Sequence, residues 1–157
     1  MVTFFMNSLY PVMLGQVKEG EEKLKNLIKK LTFLLLFTSL PLTLLVFFLA
    51  PLLTLIKADF SPSILALRVL SFSFPLFFLS ALFMWVLIAL GRQRLLMFFY
   101  GISMILNIIL NLIFIPQYGY LASATLTGVT ELAVLILTGL CVFYLLKKPS
   151  LTNRKIS

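Results

Sequence analysis

The sequence of 157 residues contains no histidine, one cysteine and five acidic residues. Without histidine, and with Cys141 alone inside an apolar run, the chain has no residues for a His/Cys metal site, a disulfide framework or His-based acid–base catalysis. Charged residues make up 11% and hydrophobic residues 61% of the chain, whereas soluble domains average about a quarter charged and about half apolar. This composition excludes an ordinary soluble fold and, with 16 phenylalanines, a disordered chain. We therefore predict an all-α integral membrane protein without a bound cofactor.

Four long apolar segments follow one another, at about 31–56, 64–90, 95–115 and 121–146. Each has at least the roughly 20 residues that a helix needs to cross a bilayer. They are separated by residues 57–62, 91–94 and 116–119, which contain the residue types that end helices and form turns. Pro41 and Pro51 predict kinks in the first segment. The sequence therefore predicts a four-helix transmembrane bundle.

The first 30 residues precede these spans and form a separate region. Residues 1–16 are apolar but too short to cross a membrane, and Pro11 interrupts them. We expect them to be the tail of a helix whose beginning is missing, which makes the chain a fragment of a larger protein. Residues 17–30 have apolar residues at helical spacing among charges. We predict a cytoplasmic amphipathic helix that lies on the membrane surface as a connector; the alternative is a partner-binding helix.

Positive charge is concentrated at one end of the predicted bundle. Eleven of the thirteen basic residues lie in segments 18–30 and 91–94 and in a basic tail at 147–157, while Lys57 and Arg68 lie on the other side. The positive-inside rule places both termini and the 91–94 loop in the cytoplasm, in a multi-pass protein of the cytoplasmic membrane. We assign the net charge of +8 to this orientation and to contact with anionic membrane lipids, and not to nucleic acid.

Polar residues inside the predicted spans are the candidate functional residues. Glu131 is the one carboxylate in a span, where an ionised group is costly unless it faces a partner or water. Two roles are open for it: a hydrogen bond to a neighbouring helix, or substrate or proton coupling. Two stripes with four-residue spacing accompany it, Ser123–Thr127–Glu131 on the fourth span and Ser103–Asn107–Asn111 on the third.

The two stripes match in depth when residues are counted from the turn between the spans. We therefore predict that Glu131 faces Ser103 and Asn107 across the contact between the third and fourth spans. Ala124 and Gly128 form a small-xxx-small pair that would let these two helices approach closely.

Arg68 lies about one turn inside the second span, on the outer side. The default expectation is that its side chain extends to the membrane surface. The alternative is contact with an anionic substrate group such as a diphosphate, since the planar guanidinium binds phosphate oxygens in pairs.

The segment 107–124 has the sequence Asn-Ile-Ile-Leu-Asn-Leu-Ile-Phe-Ile-Pro-Gln-Tyr-Gly-Tyr-Leu-Ala-Ser-Ala. It resembles the C-terminal part of the polysaccharide-biosynthesis flippases for lipid-linked oligosaccharides, of the O-antigen type, in the multidrug/oligosaccharidyl-lipid/polysaccharide exporter superfamily. The residues that match the family pattern are Asn107, Asn111, Ile115, Pro116, Gly119, Ala124 and Thr127, of which Pro116 and Gly119 form the turn motif. Ala122, Ser123 and Leu126 depart from it. Segments 9–13 and 87–93 also resemble the family, at its central cytoplasmic loop and at a helix exit.

The resemblance implies a transporter of twelve to fourteen helices in two lobes, which rock in alternating access around a central cavity. This chain would supply the last four helices of the second lobe, and its partners would be membrane lipids, a lipid-linked oligosaccharide and the remaining helices. Two alternatives are a multidrug and toxin extrusion-type exporter and a non-transporting scaffold subunit of a glycan-assembly complex. An enzyme is not expected, because the predicted loops offer neither paired carboxylates nor a set of metal ligands.

Overall fold

A computed structural model describes residues 2–56 and 58–147, and this part of the chain contains seven α-helices. They are α1 (Val2–Glu19), α2 (Glu21–Leu49), α3 (Leu53–Ile56), α4 (Ser61–Ser71), α5 (Phe74–Ala89), α6 (Gln93–Tyr118) and α7 (Tyr120–Lys147). Short 3₁₀ helices at Ala50–Leu52 and Ala58–Phe60 flank α3. The all-α prediction is confirmed, while Lys57 and residues 148–157 of the predicted basic tail lie outside the described residues.

The apolar helices correspond to the four predicted spans. Helices α6 and α7, and α2 together with its extension to Leu55, are each long and apolar enough to cross a membrane. Helices α4 and α5 reach this length together, as a pair bent by 44°. Helix α2 starts at Glu21, ten residues before the predicted span, and α6 covers Gln93–Tyr118, where the span was predicted at 95–115.

Helix α7 packs against α4, α5 and α6, and α5 lies between α7 and α2. Helix α1 covers α2 and α5 at the end of the bundle that contains Gly20, Gly91 and Lys147, here called the basic end. The core at this end is built from side chains of α1, α2, α5 and α7: Met13, Leu24, Ile28, Leu31, Leu35, Leu82, Val86, Leu87, Val142 and Leu146. By contrast, none of the residues of α6 is buried, so α6 forms one edge of the bundle.

The amphipathic segment at 17–30 is divided between two helices. Gly20 has a φ of 127°, a backbone conformation that favours glycine, and it ends α1 before α2 begins. The salt bridge from Lys23 to Glu19, with an N–O distance of 3.0 Å, joins the two helices across this break. Residues 21–30 therefore continue directly into the first span.

The apolar stripe of the α2 part of the amphipathic segment faces the protein core, while the location of the segment at the membrane surface stays a prediction. Leu24, Ile28 and Leu31 are buried in the core, on the same side of α2 as Leu35 farther along the span. The apolar stripe of residues 24–31 is thus the start of the buried face of the span. It packs against α1 and α5.

Proline positions have different effects in different helices. Pro11 and Pro41 lie inside α1 and α2 without ending them. We expected Pro11 to interrupt the first helix, and the structure shows that the helix continues through it. Pro51 is in the first turn of the 3₁₀ helix that follows α2, and this is where the regular helix stops. Pro116 lies in the last turn of α6, and the reversal towards α7 occurs at Gly119, with a φ of 65°.

The second span is broken, where the sequence predicted one continuous helix at 64–90. The bend between α4 and α5 lies at residues 72 and 73, just before Pro75. Proline has no N–H to donate to the carbonyl of Ser71, and its ring disfavours a helical conformation of the preceding turn. The side chains of Ser71 and Ser73 are buried at this bend.

Gly128 of α7 lies directly against the bend. A Cβ atom at Gly128 would be 2.7 Å from the Ser73 hydroxyl oxygen, which is too close for an unshifted contact. The small residue predicted to bring the third and fourth spans together therefore brings α7 against the junction of α4 and α5 instead. This contact fixes how α7 is placed along α5.

Candidate functional site

The carboxyl group of Glu131 on α7 is hydrogen-bonded to the hydroxyl of Ser80 on α5, with Ser80 Oγ as donor and Glu131 Oε1 as acceptor. Ser80 is buried and Glu131 is half-buried. Ser80 follows Ser73 by seven residues, which is about two helical turns, and Glu131 follows Gly128 by three. The close contact of Gly128 with Ser73 holds α7 against this part of the bundle, and Glu131 contacts Ser80 farther along α5.

Tyr100 of α6 is the third polar side chain at this position. Its phenol interacts electrostatically with the carboxyl group of Glu131 and with the hydroxyl of Ser80, and Tyr100 is half-buried. One carboxyl and two hydroxyl groups from α5, α6 and α7 thus meet inside the bundle. We call Ser80, Tyr100 and Glu131 the polar junction.

The contact between α6 and α7 involves the residue that precedes Glu131. Asn107 Nδ2 donates a hydrogen bond of 3.0 Å to Thr130 Oγ1, and Ser103 Oγ donates one of 3.4 Å to the backbone oxygen of Thr130. Thr130 is buried. The prediction that Glu131 faces Ser103 and Asn107 is therefore wrong. Successive residues of an α-helix point about 100° apart, so Thr130 faces α6 while Glu131 faces α5.

Other predicted site residues bond within their own helices. Asn111 Nδ2 donates to Asn107 at the backbone oxygen, 2.8 Å away, and at the side-chain oxygen, 3.0 Å away. Thr127 Oγ1 donates to the backbone oxygen of Ser123 at 2.8 Å. Asn111 and Pro116 also line a shallow apolar groove on α6. The structure thus brings Ser103 and Asn107 to α7, but it does not bring Asn111, Ser123 and Thr127 to the polar junction.

Arg68 joins α4 to α2 near the opposite end of the bundle. Its Nε donates a hydrogen bond of 3.3 Å to the backbone oxygen of Phe47, and its guanidinium carbon lies 4.9 Å from the centroid of the Phe47 ring. Pro51 stands four residues after Phe47 and has no N–H for that oxygen. An unsatisfied carbonyl within a membrane costs several kcal/mol, so Arg68 supplies the donor that Pro51 lacks. Contact of Arg68 with an anionic substrate stays a prediction.

Sequence reasoning missed Ser80, Tyr100 and Thr130. Ser80 is the one hydroxyl residue between Phe74 and Ala89, an isolated polar residue in an apolar helix. That isolation was a usable signal, because a hydroxyl inside a span can bond across to a neighbouring helix as well as to its own helix, as Ser80 does with Phe77. Tyr100 and Thr130 gave no comparable signal, because Tyr100 lies near the start of α6 and the hydroxyl of Thr130 can be satisfied within its own helix.

The chemistry available at the polar junction is hydrogen bonding and proton exchange. A carboxyl group accepts hydrogen bonds in either protonation state, and hydroxyl groups both donate and accept. Within residues 2–56 and 58–147, no group of three or more metal-binding side chains of the His, Cys, Asp or Glu type occurs.

Comparison with known proteins identifies the family. The family model MatE matches residues 6–113, about two thirds of the chain, from α1 to the last turns of α6. The chain belongs to the MatE family. No curated protein and no solved structure gives a significant match. The MatE family is part of the exporter superfamily that the sequence predicted, so this MatE chain is a multi-pass membrane protein of the transporter type.

The matched region contains Ser80 and Tyr100 but ends before α7. Membership of the MatE family therefore rests on α1 to α6. The placement of Glu131 rests on its contacts with α5 and α6.

The first prediction concerns the bond between Ser80 and Glu131. Replacing Glu131 by Leu, or Ser80 by Ala, should destabilise the MatE chain by about 0.6–2 kcal/mol, the range of interhelical hydrogen bonds in membranes. Glu131→Gln should be close to wild type, since an amide can still bond to Ser80. Thermal unfolding in detergent measures these differences.

The control for this prediction is Thr127→Val on the same helix. Within the described residues, the Thr127 hydroxyl bonds to the backbone oxygen of Ser123 in its own helix, so its loss should have little effect. The double variant Ser80→Ala/Glu131→Leu should lose less than the sum of its two single variants. Full additivity would contradict a direct bond between the two residues.

Proposed function

We propose that the chain is part of a flippase that translocates lipid-linked oligosaccharides across the cytoplasmic membrane for polysaccharide biosynthesis, such as that of O-antigen. The observation that carries this proposal is the sequence motif of Asn107, Asn111, Pro116 and Gly119. The contacts of these residues support it: Asn107 bonds to Thr130 of α7, and Gly119 forms the reversal between the two helices. The motif therefore lies at the α6–α7 hairpin.

Within such a transporter, the chain would supply the last four helices of the second lobe. The exposed edge of the bundle supports this part of the proposal, because α6 contributes no buried residue. Four helices also rarely enclose a pathway for a large solute. The remaining helices of the transporter would then form the other walls of the cavity that receives the sugar.

A second candidate function is export of drugs or toxins, and the family match fits it equally well. The MatE model covers α1 to most of α6 and applies to membrane exporters in general. The two candidates differ in the substrate that the cavity accepts: an anionic lipid-linked sugar in one, and a drug-like molecule in the other.

We also propose that the basic end lies in the cytoplasm, as the positive-inside rule indicates. Cysteines introduced at Gln93 and Gln117, in a Cys141→Ala background, check this orientation because both glutamines are exposed and lie at opposite ends of α6. A membrane-impermeant thiol reagent applied to intact cells should label position 117 but not position 93. Permeabilised cells, in which both should react, are the control, and labelling of position 93 in intact cells would reverse the orientation.

Transport assays test the proposed function. The chain alone, reconstituted into vesicles, should not move a fluorescent undecaprenyl-diphosphate-linked sugar above the rate of empty vesicles. The chain co-reconstituted with the rest of the proposed transporter should move it, because both lobes then line the cavity. A cationic dye such as ethidium serves as the competing substrate in the same vesicles.

Each result of these assays separates the candidates. Movement of the lipid-linked sugar by the chain alone would overturn the fragment proposal. If the complete transporter exports the dye but leaves the lipid-linked sugar in place, the flippase proposal fails and the drug exporter is favoured. A complete protein that moves neither substrate would point to the scaffold alternative.

A further inference from the structure

Helix α2 has an exposed face that changes character along its length. The residues of this face are spaced three or four apart. The face begins with Lys25 and Lys29 at the basic end and continues as an apolar stripe of Phe33, Phe37, Leu40, Leu44 and Phe48. The phenylalanines are among the most exposed side chains of the chain, with Phe33 at 73% and Phe37 at 68%. We call Lys25, Lys29, Phe33, Phe37 and Leu40 the α2 outer face.

The direction of this face is fixed by the core. Leu24, Ile28, Leu31 and Leu35 are buried on the other side of α2 against α1 and α5. Rotating α2 to hide the phenylalanines would expose these leucines and the isoleucine. The α2 outer face is therefore held outward, and the lysines stand directly above exposed aromatic rings.

The dimensions of the α2 outer face match one leaflet of a membrane. Lys29 and Leu40 are 11 residues apart, which is about 16 Å along a helix. Half of the hydrocarbon core of a bilayer measures about 15 Å. With the lysine ammonium groups at the level of the headgroups, Phe33, Phe37 and Leu40 lie at the depth of the acyl chains.

We propose that the α2 outer face binds an anionic phospholipid of the leaflet at the basic end. The phosphate lies at the ammonium groups of Lys25 and Lys29, and the acyl chains pack along Phe33, Phe37 and Leu40. Lysines next to a membrane span attract anionic headgroups with about 1 kcal/mol each, or about fivefold in affinity. This site is separate from the polar junction and does not depend on the transported substrate.

Neighbouring charges shape the preference of the site. Glu22 lies on the same side of α2, three residues before Lys25, and is exposed. It opposes the lysines, whereas Lys30, which is also exposed, adds to them. The carboxylate of Glu22 therefore provides a variant that should change affinity in the opposite direction from the lysine variants.

A tryptophan placed on the α2 outer face tests the proposal. The chain has one tryptophan, Trp85, so Trp85→Phe combined with Phe33→Trp gives a single reporter at the site. The full chain is reconstituted into vesicles of phosphatidylcholine and phosphatidylglycerol, with bromine atoms on the acyl chains of one lipid at a time. Because bromine quenches tryptophan only at short range, the quenching gives the relative affinity of the two lipids at position 33.

The reporter at position 33 should favour phosphatidylglycerol by up to about 25-fold, the product of two lysines. Lys25→Gln/Lys29→Gln should bring the preference close to onefold, and Glu22→Gln should raise it by about fivefold. Salt should weaken the preference, since exposed charges are screened. The matched control is Phe48→Trp on the same face, 70% exposed but about 28 Å from Lys29, and it should show no preference.

Three outcomes would overturn the proposal. One is an equal preference at positions 33 and 48, and another is a preference at position 33 that survives the loss of both lysines. The third is absence of quenching at position 33 by either lipid, which would show that a second copy of the chain covers this face. Transport plays no part in the measurement, so its result is independent of the proposed function.

Discussion

A polar group inside a bilayer has no water to bond with, and this constraint determines which helices of the chain touch one another. Two adjacent polar side chains of α7 bond to different neighbours: Thr130 accepts a hydrogen bond from Asn107 on α6, and Glu131 accepts one from Ser80 on α5. Apolar contacts alone would not select these faces, because lipid tails offer leucine the same surroundings as another helix does. These hydrogen bonds therefore contribute, together with close packing, to the arrangement of the three helices.

Prolines leave some backbone oxygens without a hydrogen-bond donor from their own helix. Pro51 removes the backbone donor for the Phe47 oxygen, and Arg68 of α4 supplies another, which ties α4 to α2. Pro75 breaks the second span, and Gly128 of α7 fits against Ser73 at the break. That contact holds α7 against the junction of α4 and α5, and the hydrogen bond between Ser80 and Glu131 is a second contact between α7 and α5. A helix break and a glycine thus bring α7 close to the second span, in which Ser80 lies.

The spans could be predicted from the sequence to within a few residues at most ends, because the length of an apolar run is a strong constraint. The sequence could not predict which neighbouring helix each polar residue faces. Thr130 and Glu131 are adjacent, and a stripe with four-residue spacing does not state which of two neighbouring helices it faces. The prediction also took Ala124 and Gly128 as the contact between the third and fourth spans, whereas Gly128 serves the bend between α4 and α5. That bend depends on Pro75, which affects α7 only through the packing of α7 against the bend and not through the local sequence of α7.

The amphipathic segment also shows that the sequence does not determine what an apolar helix face packs against. Its apolar stripe at 24–31 was correctly located, but a stripe can face a membrane or a protein core. Here α1 and α5 cover it, because the segment continues straight into the first span. The charges on its outer side consequently keep a fixed position at the basic end.

Cross-linking of cysteine pairs in the full chain measures most directly which helix Glu131 faces. In a Cys141→Ala background, Ser80→Cys/Glu131→Cys and Asn107→Cys/Thr130→Cys should each be joined by a short bifunctional thiol reagent in membranes. The pair Asn107→Cys/Glu131→Cys should react far less, since Glu131 lies on the α5 side of α7. Efficient cross-linking of residues 107 and 131, with none between residues 80 and 131, would contradict the arrangement of α5, α6 and α7 around the polar junction.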